Sequence, residues 1–546
     1  MTYLKTIYST KETPQSERIP GTAQVKNGAG GYSFAVDDWT RLARFLVLGS
    51  EGGSYYATER ALSLENAEAV CRCLALDGAR VVREIVAVSE AGRAPKNDPA
   101  LFALAVAASF GDDDTRRRAL ASLPAVARTG THLFHFAQFV DGMRGWGRGL
   151  RQAVSNWYAS MPADELAYQA IKYGQRDGWS HRDLLRLSHP KPEDETRRGL
   201  YYWLTQGWPG VGESPHPDIV LRLLWAAERA KAASTAGEVA GLIREYRLPR
   251  EAVPAHWLSD PEVWAALLEE MPMTALLRTL ATLTRVGLLA AGSEATRKVI
   301  AQLTDTERLM RARVHPIAVL SALKTYVQGH GERGGNTWSP VASVVDALDA
   351  AFYASFGSIT PTGKRWLLAL DVSGSMEAGQ IAGVPGLTPR IASAAMALIT
   401  AATETNYQAV AFTAGAGGYG GMYGGEAALT PLAISPRQRL DDVLKTVSSL
   451  PFGGTDCALP MLWARKNRVE ADVFVVYTDS ETWAGAIQPV QALRQYRDAM
   501  GIPAKLIVCG MVSNGFSISD PDDAGTLDVV GFNTATPTVM RDFTAA

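Results

Sequence analysis

The chain has 546 residues, 47% of them hydrophobic, enough for roughly two to four domains with cores of their own. Its 54 Lys and Arg nearly balance 56 Asp and Glu, for a formal net charge of −2; this excludes a global field for polyanions and leaves room only for a local basic patch. The four cysteines, Cys71, Cys73, Cys457 and Cys509, are too scattered for a disulfide framework, and Cys71-x-Cys73 lacks the second Cys or His pair of a zinc site.

The N-terminal stretch Met1–Gly21 has no apolar core of the kind a secretory signal carries. No run approaches the roughly 18 consecutive apolar residues of a membrane span. The expectation is a soluble, cytoplasmic protein with no membrane association. From about residue 34 to 355 the chain returns repeatedly to short amphipathic helices, among them Asn66–Leu76, Ala79–Glu90, Pro99–Phe110, Arg116–Ala127 and Leu133–Met143. Asp98-Pro99 supplies a cap followed by proline, and Asp112–Asp114 precedes the next helix. Strand signals are nearly absent. A long series of short helices with brief loops fits an α-solenoid of HEAT-like pairs, in which no single pair buries its apolar face alone; an irregular all-α domain fits the same rhythm.

After Pro361 the period changes. Trp366–Leu370, Tyr407–Thr413, Val473–Thr478 and Lys505–Met511 are nearly continuous apolar runs, as strands buried on both faces require. Helical stretches lie between them: Arg390–Thr405, Pro436–Ser449, Ala458–Asn467 and Val490–Met500. Alternation of this kind predicts an open parallel α/β sheet.

The first of these strands runs into Asp371-Val372-Ser373-Gly374-Ser375, a D-x-S-x-S sequence at the end where open α/β sheets hold ligands. Thr455, in a Gly-Gly-Thr-Asp loop, and Asp479, just after VFVVYT, occupy equivalent strand ends. Every donor is a hard oxygen, and all eight histidines precede residue 361, so the chemistry suits one Mg²⁺, with Mn²⁺ as a substitute. Helix capping and chain turning would explain any one of these loops; three in this order are harder to explain so. The constellation resembles the metal-ion-dependent adhesion site of von Willebrand factor A domains. That resemblance implies direct coordination by Ser373, Ser375 and Thr455, with Asp371 and Asp479 acting largely through water, and an open position for a partner's acidic group.

Two phosphate-binding motifs are set aside. Gly415-Ala-Gly417-Gly-Tyr-Gly420 has the spacing of a dinucleotide loop, but no helix opens after it; the Gly-rich run 415–425 reads as a flexible loop. Gly357–Lys364 has one residue too many before its Gly-Lys pair, and Arg365 stands where Ser or Thr is needed. No nucleotide cofactor is expected. No nucleophile–His pairing has recognisable context either, so no catalytic residue is assigned.

Lys172 and Arg176, four residues apart, are expected to share one helical face and hold a phosphate between them. Arg144, Arg148 and Arg151 would form a second stripe; an ordinary solvated basic face accounts for the same spacing. The blocks TGTHLFHFAQF, KYGQRDGWSHRDLLRLSHPKP, EVWAALLEEMPMTALLRTL, RVHPIAVLSALKTY, PTGKRWLLALDVSGSM, GGTDCALPM, YTDSETWAG and PAKLIVCGMVSNGFSISDPDD together resemble the Ro autoantigen family, from about Val25 almost to the C-terminus. The resemblance implies a TROVE domain of HEAT-like repeats over residues 25–360, closed into a ring, after an extension of residues 1–24. A von Willebrand A-type domain would follow over residues 361–546. It implies Y-like noncoding RNA on an outer basic surface, with Lys172, Arg176 and His189 in the RNA-contacting motif. It also implies single-stranded 3′ ends of misfolded RNA in the central hole, and tethering to a 3′-to-5′ exoribonuclease. Two other classes compete with this non-enzymatic RNA-binding reading. One is a protein–protein adaptor that captures an acidic residue at the metal. The other is a metal-dependent nuclease, which would want two metals or a positioned base.

Overall fold

The computed structural model describes residues 12–49, 59–208, 215–331, 335–356, 359–381, 387–414, 428–436, 438–450, 453–532 and 535–545. The Gly-rich run 415–425 and the start of the Gly357–Lys364 segment lie outside them. The chain divides into two compact units, one of Met1–Ala69, Arg93–Lys96 and Phe356–Ala546, the other of Val70–Gly92 and Asn97–Ser355. The first 69 residues therefore belong with the C-terminal sheet, a division that differs from the boundaries read from periodicity. The reason is long-range pairing. An antiparallel pair, β1 (Gln24–Lys26) and β2 (Tyr32–Ala35), meets a strand near residue 516. The following helix, Asp38–Leu48, is capped by Asp37 and carries Arg44, which is 1% exposed. The Arg44 guanidinium forms a two-pronged ion pair with Asp528 at 2.8 and 2.7 Å and donates to the carbonyls of Asn514 and Phe516.

The second unit is built of short helices that bury one face each. Met273–Arg285 shows the pattern, with Met273, Leu276, Leu277, Leu280 and Leu283 buried at three- and four-residue steps. Side-chain caps begin many of them: Asp112, Thr129, Asp194, Asp218, Thr235, Ser293 and Asp305 each accept from a backbone amide of the first turn. Helices near in sequence pack together, as Ala236–Tyr246 does with Pro261–Glu269 and Pro316–Gln328 with Ala342–Ala354. The helical run Glu59–Glu90 breaks at Asp77 (φ −156°, ψ 88°), between the two helices expected there. The helix Asp98–Phe110 starts at Asp98 with Asn97 in the cap position, one residue before the expected cap, a shift of the kind helix ends routinely show. Strand is not absent: β3 (Gln175–Arg176) and β4 (Trp179–Ser180) form a small antiparallel hairpin. Among the described residues, no helix is long and apolar enough to cross a membrane.

The sheet of the first unit comprises β5 (Trp366–Asp371), β6 (Tyr407–Phe412), β7 (Leu429–Leu432), β8 (Val473–Thr478), β9 (Lys505–Gly510) and β11 (Thr526–Val530), while β10 (Phe516–Ser517) pairs with β2. The strand order is β11-β9-β8-β5-β6-β7. All pairs are parallel except β6 with β7, so the sheet is mixed where a parallel one was expected. Pro431, which has no amide to donate, sits in β7, and an edge is where a sheet tolerates proline. The central strands β5 and β8 are buried at every position. Leu367, Ala369, Phe474, Val476, Leu493 and Tyr496 share one core cluster. Asp371 and Thr478 are the last residues of the two central strands, so the loops after them leave the sheet side by side.

Candidate metal centre and nucleic-acid interface

The D-x-S-x-S loop turns on Asp371, which is fully buried. Its Oδ1 accepts from the Ser373 amide at 2.9 Å, and its Oδ2 accepts from the Thr478 hydroxyl at 2.6 Å. Ser373 Oγ and Ser375 Oγ lie 3.1 Å apart. The Gly453–Asp456 loop is stitched to both neighbours: the Gly374 amide donates to Gly453 O at 3.1 Å, while the Trp483 and Ala484 amides donate to Thr455 O at 3.2 and 3.0 Å. The five expected ligands thus come from three interlocked loops, and all are buried; two of the loops leave strand ends as expected, but that of Thr455 joins the helices Leu440–Ser448 and Leu459–Lys466 and follows no strand.

Arg390, 1% exposed on the helix Pro389–Thr403, reinforces the arrangement. Its guanidinium donates to Val372 O at 2.5 Å, to Glu377 Oε1 at 2.8 Å and to Leu450 O at 3.3 Å. One side chain therefore ties the D-x-S-x-S loop to the chain entering the Thr455 loop. Nothing in the spacing of the sequence marks Arg390 for this part.

The electrostatics favour a cation. Burial, and then the neighbouring Asp479 charge, push the Asp371 carboxyl up to about 7. Burial raises Asp479 as well. Glu481 rises to about 8, through burial first and the Asp479 charge second. Three carboxyls crowded in a dry pocket resist ionising unless positive charge is supplied. The Thr455 hydroxyl is buried with no hydrogen-bond partner, an expensive state for a polar atom unless a ligand completes it. Among the described residues, no group of three or more His, Cys, Asp and Glu could hold a metal ion. Hydroxyls would have to complete the donor set here, and this pocket has three of them. The residues present fit a hard divalent cation.

In the helical unit the basic motif is arranged differently from the expected single face. The helix Ala163–Lys172 ends at Lys172, and Tyr173 is already non-helical (φ −124°, ψ 65°). Arg176 lies in β3, so it and Lys172 do not share a helical face. Asp177 (φ 53°) and Gly178 (φ 80°) supply the two positive φ angles of a type I′ hairpin turn. The hairpin is docked: Trp179 Nε1 donates to Gln138 Oε1 at 2.8 Å, Asp177 contacts the His135 ring, and the Trp146 and Trp179 rings lie 5.3 Å apart. Lys172 Nζ sits 5.5 Å from the Tyr168 ring and 5.3 Å from that of Tyr173, a cation–π setting that fixes its position. Arg176 is 62% exposed, with Asp177 at 3.6 Å. The second expected stripe also divides, because Arg144 follows the helix Gly130–Met143 while Arg148 and Arg151 lie in the next.

The helix His181–Ser188 starts with a capping box between Ser180 and Asp183 and ends at His189, an exposed residue in the left-handed region (φ 47°, ψ 52°). Arg182 and Arg186 are exposed four residues apart on this helix, which places them along one face, while His189 stands exposed just past its end. The spacing argument passed over the two arginines, although the same rule applied to HRDLLRLSH finds them. His181 is different: burial pushes it down to about 4, and it packs neutral against Tyr158, whose hydroxyl is 2.8 Å from Nδ1.

Two family models match the chain, the TROVE domain over residues 25–207 and 233–325 and the Ro60 vWA domain over residues 365–544. The chain belongs to the Ro family. Among its Ro relatives, the "RNA-binding protein RO60" of Deinococcus radiodurans is 44% identical over 532 residues, 97% of each chain. The protein of the same name from Caenorhabditis elegans is 35% identical over 607 residues, covering 98% of this chain and 92% of its own. The crystal structure of the D. radiodurans RO (RSR) protein matches with a TM-score of 0.67 at 44% identity, over 93% of this chain and 99% of that one. Lys172, Arg176 and His189 fall inside the TROVE match, and the five candidate metal ligands inside the vWA match. The TROVE match begins at residue 25, in β1, although β1 folds with the sheet unit.

Proposed function

We propose that this Ro-family protein is a non-enzymatic, cytoplasmic RNA-binding protein. Small Y-like noncoding RNAs bind the basic surface of the helical unit through Lys172, Arg176 and His189, joined by Arg182 and Arg186. The protein also accepts single-stranded 3′ ends of misfolded RNAs and serves RNA quality control as an adaptor to a 3′-to-5′ exoribonuclease. The observation that carries the reading is the run of basic residues from Lys172 to His189, held on a helix end, a docked hairpin and a capped helix. Phosphate contacts of this sort position a structured RNA and make its binding salt-dependent. The experiment is recovery of nucleic acid with the protein from its native host. A discrete small RNA, lost from the Lys172→Ala/Arg176→Ala variant, is the expected result; recovery of none would remove the reading.

In the sheet unit the hydroxyls of Ser373, Ser375 and Thr455 would hold one Mg²⁺ or Mn²⁺ directly, with Asp371 and Asp479 acting largely through water. A bound ion there offers a Lewis-acidic position to an acidic group of a partner. The protein's part is to hold the three loops in place around it. The buried, unpartnered Thr455 hydroxyl favours a bound ion there, and with it this second role as a docking site for a protein. Calorimetric titration of Mg²⁺ into wild-type protein and a Ser373→Ala/Ser375→Ala variant tests it, with binding expected only in the former. Magnesium-dependent RNA cleavage by the wild type, absent from that variant, would overturn the non-enzymatic assignment.

A further inference from the structure

The loops that carry the candidate ligands are also held from the far end of the chain. Gln15 is 0% exposed, and its carboxamide offers two donors and two acceptor sites, all of them used. Nε2 donates to Asp456 Oδ1 at 2.6 Å and to Ile487 O at 2.9 Å. Oε1 accepts from the Thr482 hydroxyl and from the Gly485 amide at 3.2 Å. Asp456 follows Thr455, and Thr482 lies in the loop that begins with Asp479. The Thr482 hydroxyl in turn accepts from the Cys457 amide at 3.1 Å, so the carboxamide closes a bridge between two of the three ligand loops. The segment around it is anchored as firmly. The Gln15 amide donates to Gly485 O at 2.9 Å, Asn27 Nδ2 to Thr482 O at 2.8 Å and Ser33 Oγ to Ser480 O at 2.8 Å. At Gly31 the backbones approach so closely that a Cβ would lie 2.0 Å from Thr482 O, so only glycine fits.

We propose that Gln15 is a positioning residue of the metal centre, setting the spacing between the Thr455 loop and the Asp479 loop from 441 positions away in sequence. The proposal rests on the reading that these loops bind a divalent cation. Groups that orient ligands without touching the metal commonly control its affinity as strongly as a ligand does. Here the partner comes from the N-terminal segment, outside the 365–544 span that matches the vWA domain.

The test titrates Mn²⁺ into full-length protein, following free Mn²⁺ by electron paramagnetic resonance, beside a melting curve for each variant. Gln15→Met removes all four bonds, while Gln15→Glu keeps the size and places a carboxylate against Asp456, so one informative variant remains if the other folds poorly. Gln24→Met is the control: it removes bonds from the same segment to Gln488 (3.0 Å) and Ile19 (2.9 Å) that do not reach the Thr455 or Asp479 loop ends. Both Gln15 variants are expected to bind Mn²⁺ about 10- to 100-fold more weakly, and Gln24→Met to melt lower with wild-type affinity. Wild-type affinity in the Gln15 variants, or an equal loss in Gln24→Met, overturns the positioning role. A wild-type protein that takes up no Mn²⁺ defeats the metal reading itself, and this proposal with it.

Discussion

Thr455→Val should change the stability of the protein in opposite directions with and without metal. The Thr455 side chain is 0% exposed and its hydroxyl has no hydrogen-bond partner. A buried hydroxyl left unsatisfied costs about 1–3 kcal/mol. Valine has nearly the same shape and puts a methyl group where the hydroxyl was, so metal-free protein should keep its stability or gain up to about 1–2 kcal/mol. In a folded unit of this size, each kcal/mol moves the melting temperature by roughly 2–4 °C. With saturating Mg²⁺ the wild type should rise, by about 2.7 kcal/mol when the ion is at 100 times its Kd, and the valine variant should barely respond. The two melting temperatures therefore exchange order as Mg²⁺ is added, while Thr455→Ser, which retains the hydroxyl, follows the wild type. Differential scanning calorimetry at both metal levels reads this directly. A valine variant that melts several degrees lower without metal and keeps the full Mg²⁺ response would refute the reasoning, because the hydroxyl would then be serving the fold.

Lys172→Ala with Arg176→Ala should flatten the salt dependence of RNA binding by up to about 0.9 in log–log slope per lost phosphate contact, on the scale of duplex DNA. Arg116→Ala with Arg117→Ala removes the same charge from a helix whose arginines pair with Asp113 and Asp114; an equal effect there in filter binding would show only a change in overall charge. Gly178→Ala tests the hairpin: no atom lies within 4 Å of the added methyl, so its cost is the backbone strain of φ +80°, about 1 kcal/mol. RNA affinity should fall with little change in global melting, and an unchanged affinity would free Arg176 and Trp179 of any dependence on the turn. The Asp371 carboxyl, raised from its ordinary 3.8 to about 7, makes the folded state bind more protons than the unfolded one between those values. Its contribution to metal-free stability is thus full below about pH 4 and lost as pH rises through about 7, whereas Mn²⁺ affinity should weaken as pH falls below about 7. Metal-free melts and Mn²⁺ titrations at pH 5 and pH 8 should show these opposite trends, and parallel trends would count against the buried carboxylate pair.

Long apolar runs made the centre of the sheet legible. Strands such as Leu367–Leu370 and Val473–Val476 are buried on both faces, and only apolar residues satisfy that condition at successive positions. The helical rhythm was legible for a related reason, since each helix buries one stripe and Asp77 interrupts the period where the chain kinks. Short strands leave no such mark. β1, β2, β3 and β7 span two to four residues each, too few to show a period, and β2 is held besides by a strand far along the chain. Gln15 and Arg44 were illegible for the opposite reason: a polar residue predicts exposure unless its partners are known, and theirs lie more than 400 positions away.

The loops of Asp371 and Asp479 were legible because donor type and strand end are both local properties and β5 and β8 are neighbours, whereas Thr455 follows the helix Leu440–Ser448 rather than a strand and reaches them only through the fold. The basic motif shows where local reading stops. A four-residue spacing places two side chains on one face only where the chain is helical, and the helix stops at Lys172. Asp177-Gly178, the strongest short hairpin signal in that stretch, announced the stop, and the spacing rule was applied across it. Four residues later the rule holds. The Ser180–Asp183 capping box fixes the start of a helix, so Arg182 and Arg186 do align, with His189 just past the helix end, and the cations that were passed over are those for which the backbone period was already written in the sequence.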